Sequence, residues 1–135
     1  PSPAFKERWA ALKLYLKWTS RGSGSEMTFT DLSGQERPAL SDSSGEARRP
    51  WLKEVVKGKL LLFGVTPRTA EKLKGVTEDW QAILREAPTG AFSYADVMGA
   101  HDIGSDEETL HSVYQAGVNA ERCHELFNNW LKELT

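Results

Sequence analysis

Residues 20–49 constrain this chain more than any other feature, because thirty consecutive positions there hold seven Ser, four Gly and one Pro. Such a composition offers no repeating apolar face that a helix or sheet can bury. The one alternation is Met27-Thr28-Phe29-Thr30, enough for a short strand or hairpin arm over Met27–Leu32. Unstructured connections beyond about 12–15 residues are uncommon inside a compact domain, so a loop at about 20–49 is expected to have a task of its own. Its Ser41-Asp42-Ser43-Ser44-Gly45-Glu46 segment is a candidate phosphoacceptor, since a phosphate there would lie beside Arg48 and Arg49 and screen them. A plain flexible linker is the simpler alternative.

The flanking segments carry helical spacing. Phe5, Trp9, Leu12 and Leu16 recur at intervals of four, three and four, which places them on one stripe of a helix. Lys6, Lys13 and Lys17 form an adjacent row, expected to be solvated and open to phosphate or anionic lipid. Pro50 suits the first position of a helix carrying Trp51, Leu52, Val55 and Val56, which ends at Gly58 or runs on through Leu62. Thr66-Pro67 marks another start, an N-cap hydroxyl before a proline, for a short helix that stops near Gly75. Thr77 caps a helix over Glu78–Ala87 with Trp80, Ile83, Leu84 and Ala87 inward, and Ser93 opens a brief one to about Gly99. Ser105 and Glu108 make a capping box ahead of Leu110, Val113 and Tyr114. The last helix, Asn119–Leu134, sets Ala120, Cys123, Phe127, Trp130, Leu131 and Leu134 on one face. These starts and stops predict an all-α fold, a compact domain over 1–135 of about six or seven helices, with one long Ser/Gly-rich loop and room for a minor β-hairpin.

At 135 residues, 39% hydrophobic and 27% charged, the chain lies near globular averages, which excludes wholesale disorder and a collagen-like fibre. Apolar runs such as Leu60-Leu61-Leu62-Phe63 fall far below the ~20 residues of a transmembrane helix. The opening residues carry charge throughout and lack a secretory pattern. The lone Cys123 makes no intrachain disulfide and suits a reducing compartment, so the expected location is nucleus, cytoplasm or virion.

A net charge of −2 hides a split. Residues 1–47 balance six cations against six acids, residues 48–74 hold eight cations against two acids, and residues 75–135 hold three cations against eleven acids. The middle therefore invites a polyanion or acidic partner, unless the two segments pair with each other.

Within the basic third, Leu62-Phe63-Gly64-Val65-Thr66-Pro67-Arg68-Thr69-Ala70-Glu71-Lys72-Leu73 reads as two helices joined by a tight glycine turn. With Gly64, Val65, Ala70 and Leu73 in the motif positions, and Gly75-Val76-Thr77 continuing it, residues 60–84 resemble a helix-hairpin-helix motif as it occurs in family-X DNA polymerases. Thr66 stands where that motif has its second glycine, and Lys59 where its first helix has an apolar residue. The resemblance implies that backbone N–H groups at a helix start ligate phosphate without reading sequence, with Arg68 and Lys72 adding charge-assisted contacts.

Enzyme signals are weaker. His101, Asp102, Asp106, Glu107, His111, Cys123 and His124 are metal-capable but match no familiar ligand spacing, and Cys123 sits on an apolar stripe as a core thiol. No cofactor, metal or catalytic residue is expected. Trp9, Trp80 and Trp130 fall on predicted core stripes, which leaves Trp18 and Trp51 as candidates to stack on bases. The chain is therefore expected to act as a non-catalytic nucleic-acid-binding module, contacting phosphates through Arg48, Arg49, Lys53, Lys57, Gly64, Arg68, Lys72 and Lys74. The alternative is a helical protein-interaction or self-assembly module, such as a viral structural, effector or adaptor domain, in which the acidic C-terminal third meets a basic partner or another copy's basic third.

Overall fold

Two short runs, Leu61–Phe63 (β3) and Gly90–Phe92 (β4), pair in parallel at the centre of the molecule, with Leu61 opposite Gly90 and Phe63 opposite Phe92. Val65 and Thr89 form a separate, isolated parallel bridge beside it. Parallel strands need a crossover, which is supplied by a short 3₁₀-helix, Ala70–Leu73, and a helix, α3 (Glu78–Glu86). This computed structural model describes residues 2–18, 26–40, 48–117 and 119–134. Its other elements are α1 (Phe5–Lys17), an antiparallel hairpin of β1 (Glu26–Thr30) and β2 (Glu36–Leu40), α2 (Arg49–Val56), α4 (Tyr94–Val97), α5 (Asp106–Ala116) and α6 (Ala120–Leu134). Among the described residues, no helix is long and apolar enough to cross a membrane.

The fold is mostly helical, and four short strands in two sheets correct the all-α expectation. Residues 61–63, expected to prolong α2 or to start a helix pair, are a strand because Gly58, at φ +81°, turns the chain away from α2. Leu60 and Leu62 then enter the core. Within the Ser/Gly-rich segment, residues 26–40 form the hairpin, and residues 41–46, the candidate phosphoacceptor, lie outside the described residues.

The main core gathers Ala11, Leu14, Leu52, Val55, Leu60, Leu62, Phe92 and Phe127 from both ends of the chain. A smaller cluster of Val65, Leu73 and Leu84 lies under the crossover. The strand pair fits between the helices because its backbones nearly touch. A Cβ built on Gly90 would lie 2.2 Å from Gly64 N, and one on Gly64 would lie 2.6 Å from Gly90 N.

Helix faces depart from the sequence pattern in two places. In α1 the stripe of Phe5, Trp9 and Leu16 points to solvent, 80%, 54% and 58% exposed, while Ala11 and Leu14 are buried. The small Ala10 and Ala11 let α1 lie close against its neighbours, and the bulky stripe is left outside. In α5, Leu110 and Tyr114 are likewise outside, and the buried face is polar: Glu108, Thr109, Ser112 and Gln115. The tryptophans follow suit. Trp51 is buried with its Nε1 donating to Pro38 O at 2.8 Å, and Trp18 packs edge-on against Phe92, whereas Trp9 and Trp80 are exposed. By contrast, α6 places Cys123 and Phe127 inward, and burial pushes the Cys123 thiol pKa up.

Because the Gly64–Gly90 contact is backbone on backbone, Gly90→Ala must separate the strands. We expect a loss of about 1–3 kcal/mol or more in chemical denaturation, against little change for Glu71→Ala on the exposed crossover surface.

Candidate anion-binding pocket

The two charged segments of the sequence meet inside the molecule. Arg68, 2% exposed, lies against α5 and makes a two-pronged ion pair with Glu108, NH1 to Oε1 at 2.8 Å and NH2 to Oε2 at 2.6 Å. Ser112 Oγ donates to Glu108 Oε2 at 2.6 Å and Gly104 N to Oε1 at 2.9 Å, so the carboxylate is saturated. Arg48 reaches Asp96 on α4, NH2 to Oδ1 at 2.7 Å, and lies 5.0 Å from the Trp51 ring. Asp96 also accepts from Ser93 N at 2.9 Å and pairs with His101 Nδ1 at 2.8 Å. Burial alone would push the Asp96 carboxyl up, but Arg48, His101 and the Ser93 amide together outweigh it and hold its pKa below the ordinary value. The Asp96 hydrogen bond conversely raises the pKa of His101.

These pairs change where the expected phosphate contacts lie. Arg48 and Arg68 are buried, not exposed, because each neutralises an acid of the C-terminal segment. Arg49 lies over Tyr15 at 3.8 Å from the ring centroid and donates to Tyr15 O. Gly64 is inside, with its N–H donating to Phe92 O and that of Val65 to Pro88 O, so neither amide of the turn is available to a phosphate. Thr66 is no N-cap, since the 3₁₀-helix begins at Ala70 after Thr69. Lys53, Lys57, Lys72 and Lys74 remain exposed, although the Lys72 stem lies across Gly104 and Lys74 pairs with Glu71 at 3.6 Å. The eight residues therefore do not form one exposed basic face.

A cavity of about 300 Å³ opens instead between the β1–β2 turn, the chain around Lys59–Arg68 and the end of α3. Asp31 builds the turn, accepting from Ser33 N, Ser33 Oγ and Gln35 N at 2.7–3.0 Å. Gly34 supplies the left-handed φ of +85° that the turn requires. Burial works against the Asp31 carboxylate, but Ser33, Arg37 and Gln35 overcome it and lower its pKa. From β2, the buried Arg37 bonds to Asp31 Oδ2 at 2.9 Å and to Lys59 O at 3.2 Å. Thr66 and Arg68 line the same cavity, and Lys59, Arg85 and Glu86 contribute exposed charge to it.

Two hydrogen-bonding groups are left over here. Among the described residues, buried side-chain polar atoms without a partner are Thr66 Oγ1, Arg68 Nε and, elsewhere, Ser93 Oγ. A buried polar group without a partner costs about 1–3 kcal/mol, and both of these atoms belong to residues that line the cavity while having almost no accessible surface of their own. Arg37 and Arg68 are balanced by Asp31 and Glu108, which leaves Lys59 and Arg85 against Glu86 and a small positive excess. The lining carries the hydroxyls of Ser33, Thr66 and Thr89 beside the charges of Lys59, Arg85 and Glu86. The metal-capable side chains do not converge either: among the described residues no three are placed to hold an ion.

Arg37, Lys59, Thr66 and Arg85 were not expected as site residues. The Asp31-x-Ser33-Gly34 turn ahead of Arg37 is legible as a turn, but the assembly of these four depends on long-range packing. Comparison with protein families, curated proteins and solved structures gives no match for this chain.

Glu108→Ala leaves the Arg68 cation buried without its partner and is expected to cost about 3–5 kcal/mol in urea denaturation, whereas Arg68→Met with Glu108→Leu should recover part of that loss. The cluster around Asp96 also sets a pH window. The depressed carboxyl contributes stability that is present above its ordinary value of 3.8 and is lost as pH falls through the folded pKa. The raised imidazole contributes stability that is fully present below its ordinary 6.5 and is lost as pH rises through the folded pKa. Thermal midpoints should therefore decline on both sides of that interval, and His101→Gln should flatten the alkaline decline and, because His101 helps to lower the Asp96 carboxyl, lessen the acid one as well.

Proposed function

We propose that this protein is a non-catalytic binding module that takes a phosphate group of a nucleic acid into the cavity beside Arg37, Thr66 and Arg68. The observation that carries this reading is the pair of unpartnered donors, Thr66 Oγ1 and Arg68 Nε, on residues lining one cavity whose exposed charges are mainly cationic. Phosphate oxygens accept from hydroxyl and guanidinium donors alike, and Lys59 and Arg85 supply the charge that draws the anion in. A volume of about 300 Å³ is at the lower end for small-molecule sites. It suits one phosphate with the sugar that bears it, hence a chain end more than a continuous backbone. Contacts made to phosphate alone carry no sequence information, and a weak sequence preference follows.

Titration with inorganic phosphate and with short oligonucleotides, each with and without a 5′-phosphate, at low and high salt tests the proposal by calorimetry or amide chemical shifts. We expect the phosphorylated end to bind more tightly than the unphosphorylated one, with an affinity that falls as salt rises. Lys59→Ala with Arg85→Ala should weaken it by about tenfold, on the scale of one or two charge-assisted contacts. Lys53→Ala with Lys57→Ala should leave it unchanged. Equal binding of both oligonucleotides, or loss only with the Lys53 and Lys57 pair, overturns the assignment; binding of inorganic phosphate alone keeps the cavity and removes the nucleic acid.

A further inference from the structure

Two exposed apolar faces of opposite charge remain on the surface, and neither takes part in the cavity. On α1, Phe5, Trp9, Leu12 and Leu16 fall within about 60° of the helix circumference at 100° per residue. Three of the four are more than half exposed. Lys6 and Lys13 stand on one flank, together with Lys17, whose Nζ donates to Leu134 O. On the other flank is Arg8, whose Nε donates to Val56 O, and beyond it lie Lys53 and Lys57 of α2. The acids of these two helices do not offset this charge at the ridge: Glu7 is turned to Ala4 N and Leu62 N, and Glu54 is half-buried. The result is an aromatic ridge with cations on both sides.

The second face is on α5. Its buried side is occupied by the polar groups that hold Arg68 and the α4 backbone, so its apolar residues Leu110 and Tyr114 are directed outward, 52% and 46% exposed. Asp106 and Glu107 flank them on the same exposed surface. α1 packs on α2 and β3, whereas α5 packs on α3, α4 and α6. Each ridge thus has in the other a partner of opposite charge that its own chain does not bring to it.

We infer that α1 of one copy docks against α5 of a second copy, head to tail. The contact is heterologous: each molecule offers one face of each kind, so association continues into a ring or an open chain unless a terminal copy is blocked. Apolar contact between Phe5, Trp9, Leu16 and Leu110, Tyr114 supplies the affinity, while Lys6 and Lys13 against Asp106 and Glu107 fix the orientation and speed the encounter. This inference is independent of the phosphate cavity, which involves none of these residues.

Two variants of the full chain, all at exposed positions, isolate the contact: Lys6→Glu with Lys13→Glu on the ridge, and Glu107→Lys with Leu110→Lys on the acidic face. Circular dichroism checks that each retains its helicity, and Tyr114→Lys replaces the second if Glu107 proves necessary to start α5. By sedimentation equilibrium, the wild-type protein should associate with rising concentration, more weakly at high salt, and each variant alone should remain monomeric. Mixed together they should associate again, because the first keeps an intact α5 face, the second an intact α1 ridge, and the two reversed faces are once more of opposite charge. A wild-type protein that stays monomeric at all concentrations, or a mixture of variants that does not pair, overturns the inference. A monomer that instead binds anionic phosphatidylglycerol vesicles and loses that binding in the Lys6, Lys13 variant assigns the ridge to a lipid surface and likewise overturns it.

Discussion

The buried contact of Arg68 with Glu108 joins the two halves of this molecule. Removing two charges from water is costly, and their attraction offsets that cost only when every remaining donor and acceptor near them is satisfied. Glu108 meets this condition, held by both guanidinium prongs, by the Ser112 hydroxyl and by the Gly104 amide. Arg68 does not meet it fully, since its Nε is buried without a partner, on a residue that also lines the cavity.

Much of the remaining architecture adapts to that contact. The inner face of α5 must be polar to receive a guanidinium, and so its leucine and tyrosine are displaced to the surface. The strand pair must lie close to bring the segment after Leu62 alongside α5, which Gly64 and Gly90 permit by lacking side chains. Arg48 and Asp96 repeat the arrangement between the start of α2 and α4, where the Trp51 ring and His101 complete the surroundings of the charges. Two of the eight cations of the basic segment, Arg48 and Arg68, are thereby consumed internally by acids of the C-terminal segment, while Lys53, Lys57, Lys72 and Lys74 stay exposed.

What was legible in the sequence were features with local causes. Thr77 before Glu78–Glu86 and Ser93 before Tyr94–Val97, although neither hydroxyl makes a cap bond, Ser105 with its bond from Glu108 N, and the apolar face of α6 all appear where the residue pattern puts them. The hairpin arm at Met27 was legible for the same reason. The strand at Leu61–Phe63 was not, because a run of apolar residues after a helix has the same local pattern in either state, and its parallel partner is Gly90–Phe92, far along the chain. The site was legible only in its charge: Arg68 was named as a phosphate contact, but Arg37, Lys59, Thr66 and Arg85 converge through packing between distant segments.

By itself, the sequence determined most helix starts and ends, the start expected at Thr66 excepted, since caps, prolines and glycines act within a few residues of themselves. It also determined how much charge of each sign every segment carries. Only the tertiary structure decided which face of each helix is inside and which cations are spent. Burial depends on the neighbour across the interface, and a buried arginine opposite a glutamate has the same local sequence as one that waits in solvent for a phosphate.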